Sequence, residues 1–347
     1  LFAVKKDFMI HVFNYRDKNY IYDVGSGSLH ECDKTTADYL RAKEEGQPVD
    51  ITYITDEEIK NILADVEGLK EQGLLFKEEV KTYPMKSDEI KALCIHICHD
   101  CNFRCRYCFA DEGAYHSARE FMSEETAKAA VDFLIANSGK RKVLEMDFFG
   151  GEPLMNWHVV QQTVDYVHNQ EKKHHKKIKM SLTTNGMLLD EEKTKYLTDN
   201  HISLILSLDG RKEMHDRMRP DVNNEGTYDQ IVKNLQYCIA HRNGEEYYVR
   251  GTFTRHNLDF TTDVEDMLDH GFPAVSMEPV VGDDSAEYSI KESDLPRVKE
   301  EYDRLAQLFI QREEEGRPFF FFHFNMDLWK GCLLYTSPSP RDLSTSR

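Results

Sequence analysis

Ala92-Leu93-Cys94-Ile95-His96-Ile97 runs directly into Cys98-His99-Asp100-Cys101-Asn102-Phe103-Arg104-Cys105-Arg106-Tyr107-Cys108. The first part is apolar and β-prone and the second polar, so the stretch reads as a buried strand delivering a loop with three cysteines, Cys101, Cys105 and Cys108. Spacers of three and two residues let a short loop turn three thiolates towards one point, which suits an iron-sulfur cluster. Three ligands for four irons leave one iron open, and an open position marks a catalytic rather than a structural metal site. Two other readings fit the spacing. Three cysteines could hold a structural zinc, with His96 or His99 as fourth ligand. Cys94, Cys98 and Cys101 repeat the same spacing. The strand pattern disfavours that register, because Cys94 would then behave as a small hydrophobe inside a buried strand.

The rest of the composition narrows the setting. A chain of 347 residues can bury a large core and divide into two domains. No run approaches the ~20 apolar residues of a membrane span, and the start lacks a secretion signal, so a cytoplasmic protein is expected. Eight cysteines, three of them clustered, fit metal ligation in a reducing compartment. Cys32 and Cys238 read as ordinary thiols. A formal charge of -18 argues against nucleic-acid binding, which needs a basic face. The basic run Lys172-Lys173-His174-His175-Lys176-Lys177 reads as the solvated end of a helix, where cations complement the dipole.

Upstream of the cysteine loop, residues 1–80 read as a small α+β module. Met9–Tyr15, Tyr20–Val24 and Leu29–Cys32 are three short strands around turn-prone segments. Asp33 can cap a first helix, and Thr55 with Glu58 makes a capping box for a second. Gly73 stops that helix before a return strand at Leu74-Leu75-Phe76. The order suggests a winged-helix-like module: a stability domain, a DNA-binding wing, which the acidity disfavours, or a peptide-binding element. Residues 81–90, polar and with Pro84, suit a linker.

Downstream, strands at 92–97, 143–149, 178–184, 202–208, 247–254 and 274–281 alternate with helices near 123–137, 156–172, 190–199, 227–242, 262–270 and 293–315. Six β-then-α units imply an α/β fold with a parallel sheet and helices outside it. A partial (β/α)6, TIM-like barrel over 91–317 is preferred because chemically capable residues recur at strand ends. Gly150-Gly151-Glu152-Pro153 follows the second strand, Thr183-Thr184-Asn185-Gly186 the third and Ser207-Leu208-Asp209-Gly210 the fourth, with Arg219 beyond it; the sixth gives Glu278-Pro279-Val280-Val281. Taken alone, each is a turn between a strand and a helix. On the fifth strand, alternation puts Arg250, Thr252 and Thr254 on one face and Gly251, Phe253 and Arg255 on the other, without saying which looks inward.

The cysteine spacing, with aromatic Tyr107 before the last ligand, resembles the radical S-adenosylmethionine (SAM) enzymes. That resemblance implies a 4Fe-4S cluster on Cys101, Cys105 and Cys108, with SAM at the open iron. Tyr107, Gly150, Gly151, Glu152, Pro153, Asn185, Ser207, Arg219 and Glu278 then fall at cofactor-binding positions. Glu152 would take the methionyl amino group, Ser207 and Arg219 the ribose and carboxylate regions, and Glu278 would lie beside the adenine. At finer grain, His99–Asn102, Phe109-Ala110, Gly113, Tyr115-His116, Asp147–Trp157 and Val249–Arg255 resemble the maturases of six-cysteines-in-forty-five-residues peptides. Those enzymes link cysteine sulfur to an α-carbon. The N-terminal module resembles the element that binds a precursor's leader peptide as an added strand. The expected partners are a precursor peptide and a reductant such as ferredoxin or flavodoxin, with no nucleic acid and no membrane.

One departure from that family concerns the C-terminus. Relatives continue into a cysteine-rich domain with auxiliary 4Fe-4S clusters, so residues 318–331 are expected to start a linker to a missing domain, and these 347 residues are expected to cleave SAM at most, without forming the thioether. Residues 332–347, Ser/Pro/Arg-rich without apolar period, resemble a translated sequencing adapter, so Cys332 is not taken as a ligand. The rival functions are a radical oxidase of a protein residue, as in sulfatase maturation, and a peptide-binding or zinc-stabilised protein without chemistry.

Overall fold

The computed structural model describes residues 10–77 and 89–325. They fall into two units, 10–77 and 89–325. Most of the expected 81–90 linker, the end of the 318–331 segment and the whole 332–347 tail lie outside the described residues.

In the first unit, β1 (Ile10–Tyr15), β2 (Lys18–Asp23) and β3 (Ser28–Cys32) form an antiparallel sheet in that order. Asp33 opens α1 (Lys34–Leu40) by accepting from the Thr36 amide, and Thr55 with Glu58 forms both halves of the capping box of α2 (Asp56–Glu71). Ile10, Val12, Ile21, Ala37, Leu40 and Leu75 make a small core. The expected return strand at Leu74-Leu75-Phe76 is not a strand. The Leu74 carbonyl is taken by side chains instead, His30 Nε2 at 2.9 Å and Ser26 Oγ at 3.2 Å, and Phe76 turns left-handed at φ 51°.

The second unit alternates strand and helix: β4 (Ala92–Cys98), α3 (Glu124–Ala136), β5 (Val143–Gly150), α4 (Trp157–His174), β6 (Lys177–Thr184), α5 (Glu191–Asp199) and β7 (Ser203–Ser207). It continues through α6 (Lys212–Met218), α7 (Tyr228–Ala240), β8 (Tyr247–Phe253), α8 (Phe260–Asp269), β9 (Ala274–Pro279), α9 (Leu295–Glu314) and β10 (Phe320–Phe321). The seven strands pair in parallel in the order β10-β9-β8-β7-β6-β5-β4, and β4 and β10 are its edges. This is the open, TIM-like partial barrel the strand–helix alternation predicts, with each crossover helix covering the same sheet face. No helix of the described residues is long and apolar enough to cross a membrane.

Alternation along each strand sorts the side chains. Ile95 and Ile97, Leu144, Met146 and Phe148, Ile178, Met180 and Leu182, Val249 and Phe253, and Val275 and Met277 are buried with the helices. Phe253 stacks on Phe260 of α8 at 4.2 Å, which turns Arg250 and Thr252 to the opposite, polar face. Cys94 corrects an expectation: it is exposed rather than a core hydrophobe, because burial on β4 falls on Ile95 and Ile97. It lies on the polar face, its Sγ 3.8 Å from Asp147 Oδ2. Two further departures concern the sheet. α6 was not foreseen between the fourth strand and its main helix. Residues 318–325 belong to this unit rather than to a linker: β10 adds a seventh strand, with Phe320 opposite Ala274 and Phe321 opposite Val275. Phe319 and Phe321 are buried, which is why this aromatic run joins the sheet edge.

Candidate active site

The cysteine loop starts where β4 ends, and the end of β5 is pressed against it. Gly151 N donates to the Cys98 carbonyl at 2.8 Å and Glu152 N to the Asp100 carbonyl at 2.9 Å. A Cβ on Gly150 would lie 2.3 Å from the Cys98 carbonyl oxygen, and one on Gly151 2.0 Å from that of Asp100. Only glycine allows this backbone approach, and Gly150 also needs a φ of 126°. Pro153, at the first position of the short helical turn Pro153–Asn156, sets the direction out of the glycines. Asn156 Nδ2 then ties that turn to the carbonyls of Ile97 and Met122, at 2.9 and 3.0 Å.

The far side of the loop is clipped to the segment after α6. Arg104 N donates to the Pro220 carbonyl at 2.8 Å and Arg106 N to that of Met218 at 2.9 Å, while Phe103 is 1% exposed and anchors the loop in the core. The Cys108 amide closes a turn on the Cys105 carbonyl at 3.0 Å. The Cys101 sulfur accepts from the Phe103 amide at 3.4 Å. Asn185 Nδ2, after β6, reaches Asn102 Oδ1 at 2.8 Å and approaches the Cys101 sulfur at 3.8 Å.

Two buried carboxylates flank the thiols. Glu152 Oε1 accepts from Thr184 Oγ1 at 2.8 Å and the Leu154 amide at 3.0 Å, and Oε2 from the Asn185 amide at 2.8 Å. Burial outweighs these donors and pushes its carboxyl up to about 7. Asp209, just past β7, accepts from the Tyr107 hydroxyl and, through Oδ1, from the Thr252 amide at 2.9 Å. Arg219 Nε lies 2.9 Å from the same Oδ1, an ion pair whose Nε is not aligned as a hydrogen bond. The guanidinium sits 5.4 Å from the centroid of the Tyr107 ring. His215 completes the network: the Asp209 amide donates to Nδ1 at 3.3 Å, and Nε2 meets Thr227 Oγ1 at 3.0 Å, which itself donates to the Arg219 carbonyl at 2.8 Å. Burial holds this imidazole down to about 4, hence neutral, with Nε2–H as donor.

The donor set fits an iron-sulfur cluster. Burial raises the Cys101 thiol well above its ordinary range and pushes Cys105 up to about 12, so these sulfurs ionise only with a cationic partner such as iron. Among the described residues no three His, Cys, Asp or Glu side chains are arranged to hold a single metal ion. A four-iron cluster does not ask for that, since each thiolate takes a different iron. The zinc alternative finds no fourth ligand in the histidines: His96 and His99 lie against Tyr115, ring centroids 4.4 and 5.1 Å away, and His99 Nδ1 is 3.1 Å from Ser117 Oγ. The earlier register is disfavoured as well, because Cys98 is fully buried and donates to the Asp100 carbonyl at 3.2 Å.

Of the residues singled out from sequence, Cys101, Cys105, Cys108, Tyr107, Gly150, Gly151, Glu152, Pro153, Asn185 and Arg219 are drawn together around the loop. Ser207 and Glu278 stand at the ends of their strands with other partners. Ser207 is opposite Arg250 in the ladder. Glu278 accepts from Ser276 Oγ at 2.6 Å and meets His323 Nε2 at 3.0 Å, a contact that holds its carboxyl down to about 2. Asp209 and Thr252 were named on their strands without a role, and His215 was given none. Asp209 precedes a glycine and reads as a turn residue; its one sequence signal is Arg219 beyond a short helix.

Residues 95–249 match the Radical SAM superfamily. The "Radical SAM cyclopropyl synthase TigE" of Paramaledivibacter caminithermalis is 25% identical over 242 residues, 62% of this chain and 49% of its own length. A "Cysteine-type anaerobic sulfatase-maturating enzyme" of Clostridium perfringens is 31% identical over 142 residues, 38% of this chain and 36% of its own. The chain thus spans about half or less of these two relatives. The solved structure described as "Native anSMEcpe with bound AdoMet and Kp18Cys peptide" shares the fold, with a TM-score of 0.60 at 21% identity over 67% of this chain and 64% of that one. The match thus places a radical SAM superfamily domain, a domain type that uses a 4Fe-4S cluster and S-adenosylmethionine, over residues 95–249, and the solved structure shares the fold.

Proposed function

We propose that this chain is a peptide-modifying radical SAM enzyme that joins a cysteine sulfur of a ribosomally made peptide to the α-carbon of another of its residues. When bound, the cluster and SAM supply a one-electron cleavage that yields a hydrogen-abstracting radical. The residues of the chain bind and orient. Cys101, Cys105 and Cys108 hold the cluster, Glu152 offers a buried carboxylate to an ammonium group, and Arg219 and Ser207 serve the carboxylate and ribose side. Tyr107, Gly150, Gly151, Pro153 and Asn185 fix the loop geometry, and Glu278 lies towards the base. Ferredoxin or flavodoxin is the reductant in this reading.

The observation that carries the peptide assignment is the edge structure of the N-terminal sheet. At one edge, the Val12 amide of β1 is already satisfied by Glu45 Oε1 at 2.7 Å. β3 is the other edge strand, and no described strand pairs with its outer side. An extended leader adding there would gain main-chain hydrogen bonds. A second reading, oxidation of one residue in a protein substrate, is favoured by the similarity to sulfatase-maturating enzymes. Anaerobic incubation with reductant, SAM and a cysteine-rich precursor, with and without its leader, separates the two. With the auxiliary-cluster domain supplied, the proposal expects a leader-dependent product lighter by two hydrogens and crosslinked through sulfur, while these 347 residues by themselves release 5'-deoxyadenosine without the crosslink; an aldehyde product formed regardless of the leader would establish the second reading.

A further inference from the structure

Asp209 has no part in the binding roles above, yet it is the most connected group beside the cysteine loop. It is 1% exposed and meets the Tyr107 hydroxyl, the Thr252 amide and Arg219, from three separate stretches of chain. The Arg219 side chain is 11% exposed, its guanidinium lies 5.4 Å from the ring centroid of Tyr107, between Cys105 and Cys108, and the neighbouring Met218 carbonyl accepts from the Arg106 amide of the loop at 2.9 Å. Three neutral groups also meet the pair. His215 is fully buried and neutral, Tyr107 is an un-ionised phenol whose pKa burial raises, and Thr252 contributes only its amide. Asp209 is therefore the counter-charge of Arg219 at Tyr107, the residue immediately before Cys108 in the cysteine loop.

Net charge close to an iron-sulfur cluster sets its reduction potential: a buried cation favours the reduced, more negative state and a buried anion disfavours it. We propose that Asp209 is a positioning residue for the cluster, neutralising Arg219 beside the cysteine loop and pinning Tyr107 between the ligands, so that the reduction potential stays low. The proposal rests on the cluster assignment to Cys101, Cys105 and Cys108. A low potential matters because one-electron reduction of a sulfonium demands a strong donor.

The test is a redox titration, followed by electron paramagnetic resonance, of the anaerobically reconstituted full chain, with iron content measured in each sample. Asp209→Asn is expected to raise the potential and Arg219→Gln to lower it. The double variant Asp209→Asn/Arg219→Gln removes both charges and is expected to return close to wild type. Tyr107→Phe keeps the charges and should shift the potential least. Single variants that move in the same direction, or an Asp209→Asn cluster that titrates with the wild type, overturn the proposal. If Asp209→Asn fails to retain iron, the double variant decides: it should hold the cluster near the wild-type potential, and its failure to do so overturns the proposal. A wild type that holds no cluster overturns both this proposal and its underlying assignment, whereas loaded variants with unshifted potentials overturn this proposal alone.

Discussion

The ends of β5 and β7 each place a buried carboxylate beside the cysteine loop, and they hold it in opposite ways. Glu152 faces three neutral donors and, among the described residues, no ion-pair partner, so burial prevails and its carboxyl rises to about 7. Asp209 faces Arg219 at 2.9 Å, with a hydroxyl and an amide besides. The β5 end is thus a carboxylate short of a cation, which an ammonium brought within reach would ionise. At the β7 end the charge of Asp209 is already met by Arg219 within the chain. One strand end is built to receive charge and the other to hold it constant.

The largest effect expected from this contrast is that of Asp209→Asn on folding. It leaves a buried guanidinium unpaired and should cost about 3–5 kcal/mol in denaturant unfolding; a loss below ~1 kcal/mol would mean the pair is not the closed unit described. Next in size is the pH dependence of His215. Its folded pKa of about 4 lies below the ordinary 6.5, so the unfolded chain binds the extra proton between those values. The stability this contributes is complete above pH 6.5 and is lost as pH falls towards 4. Relative to His215→Gln, the wild type should lose about 3 kcal/mol over that window.

Glu152 should show the opposite sign. Its folded pKa is raised from 4.5 to about 7, so the native state binds the extra proton, and acidification from pH 7 towards 4.5 should stabilise the wild type relative to Glu152→Gln. At pH 7 the amide in that variant sets N–H against N–H, a cost of about 1–3 kcal/mol. Parallel pH trends at the two sites would break the contrast. The smallest effect belongs to Ser207→Ala, expected to change stability by less than ~0.5 kcal/mol and to show itself in cofactor affinity measured by titration calorimetry.

Much of this was legible from local pattern. The alternation of apolar strands with amphipathic helices gives the parallel sheet, and the Thr55–Glu58 box and the double glycine at 150–151 speak through their immediate neighbours. What was hidden depends on distant partners. Cys94 sits in an apolar run yet is exposed, because only Ile95 and Ile97 of β4 face the helices. Leu74–Phe76 has strand composition, but His30 and Ser26 take its carbonyl. Asp209 lies 102 positions from Tyr107 and 43 from Thr252, so no local spacing announces their meeting. β10 is two residues long, below what periodicity can register.

The central claim is that Cys101, Cys105 and Cys108 carry a cluster that cleaves SAM. Its most direct test is anaerobic reconstitution with iron and sulfide, followed by reductant and SAM, with 5'-deoxyadenosine measured by chromatography. The wild type and Cys94→Ala should form the cluster and release 5'-deoxyadenosine, and Cys108→Ala should do neither. A cluster-loaded wild type that releases none, or cluster loss in Cys94→Ala with retention in Cys108→Ala, would contradict the account.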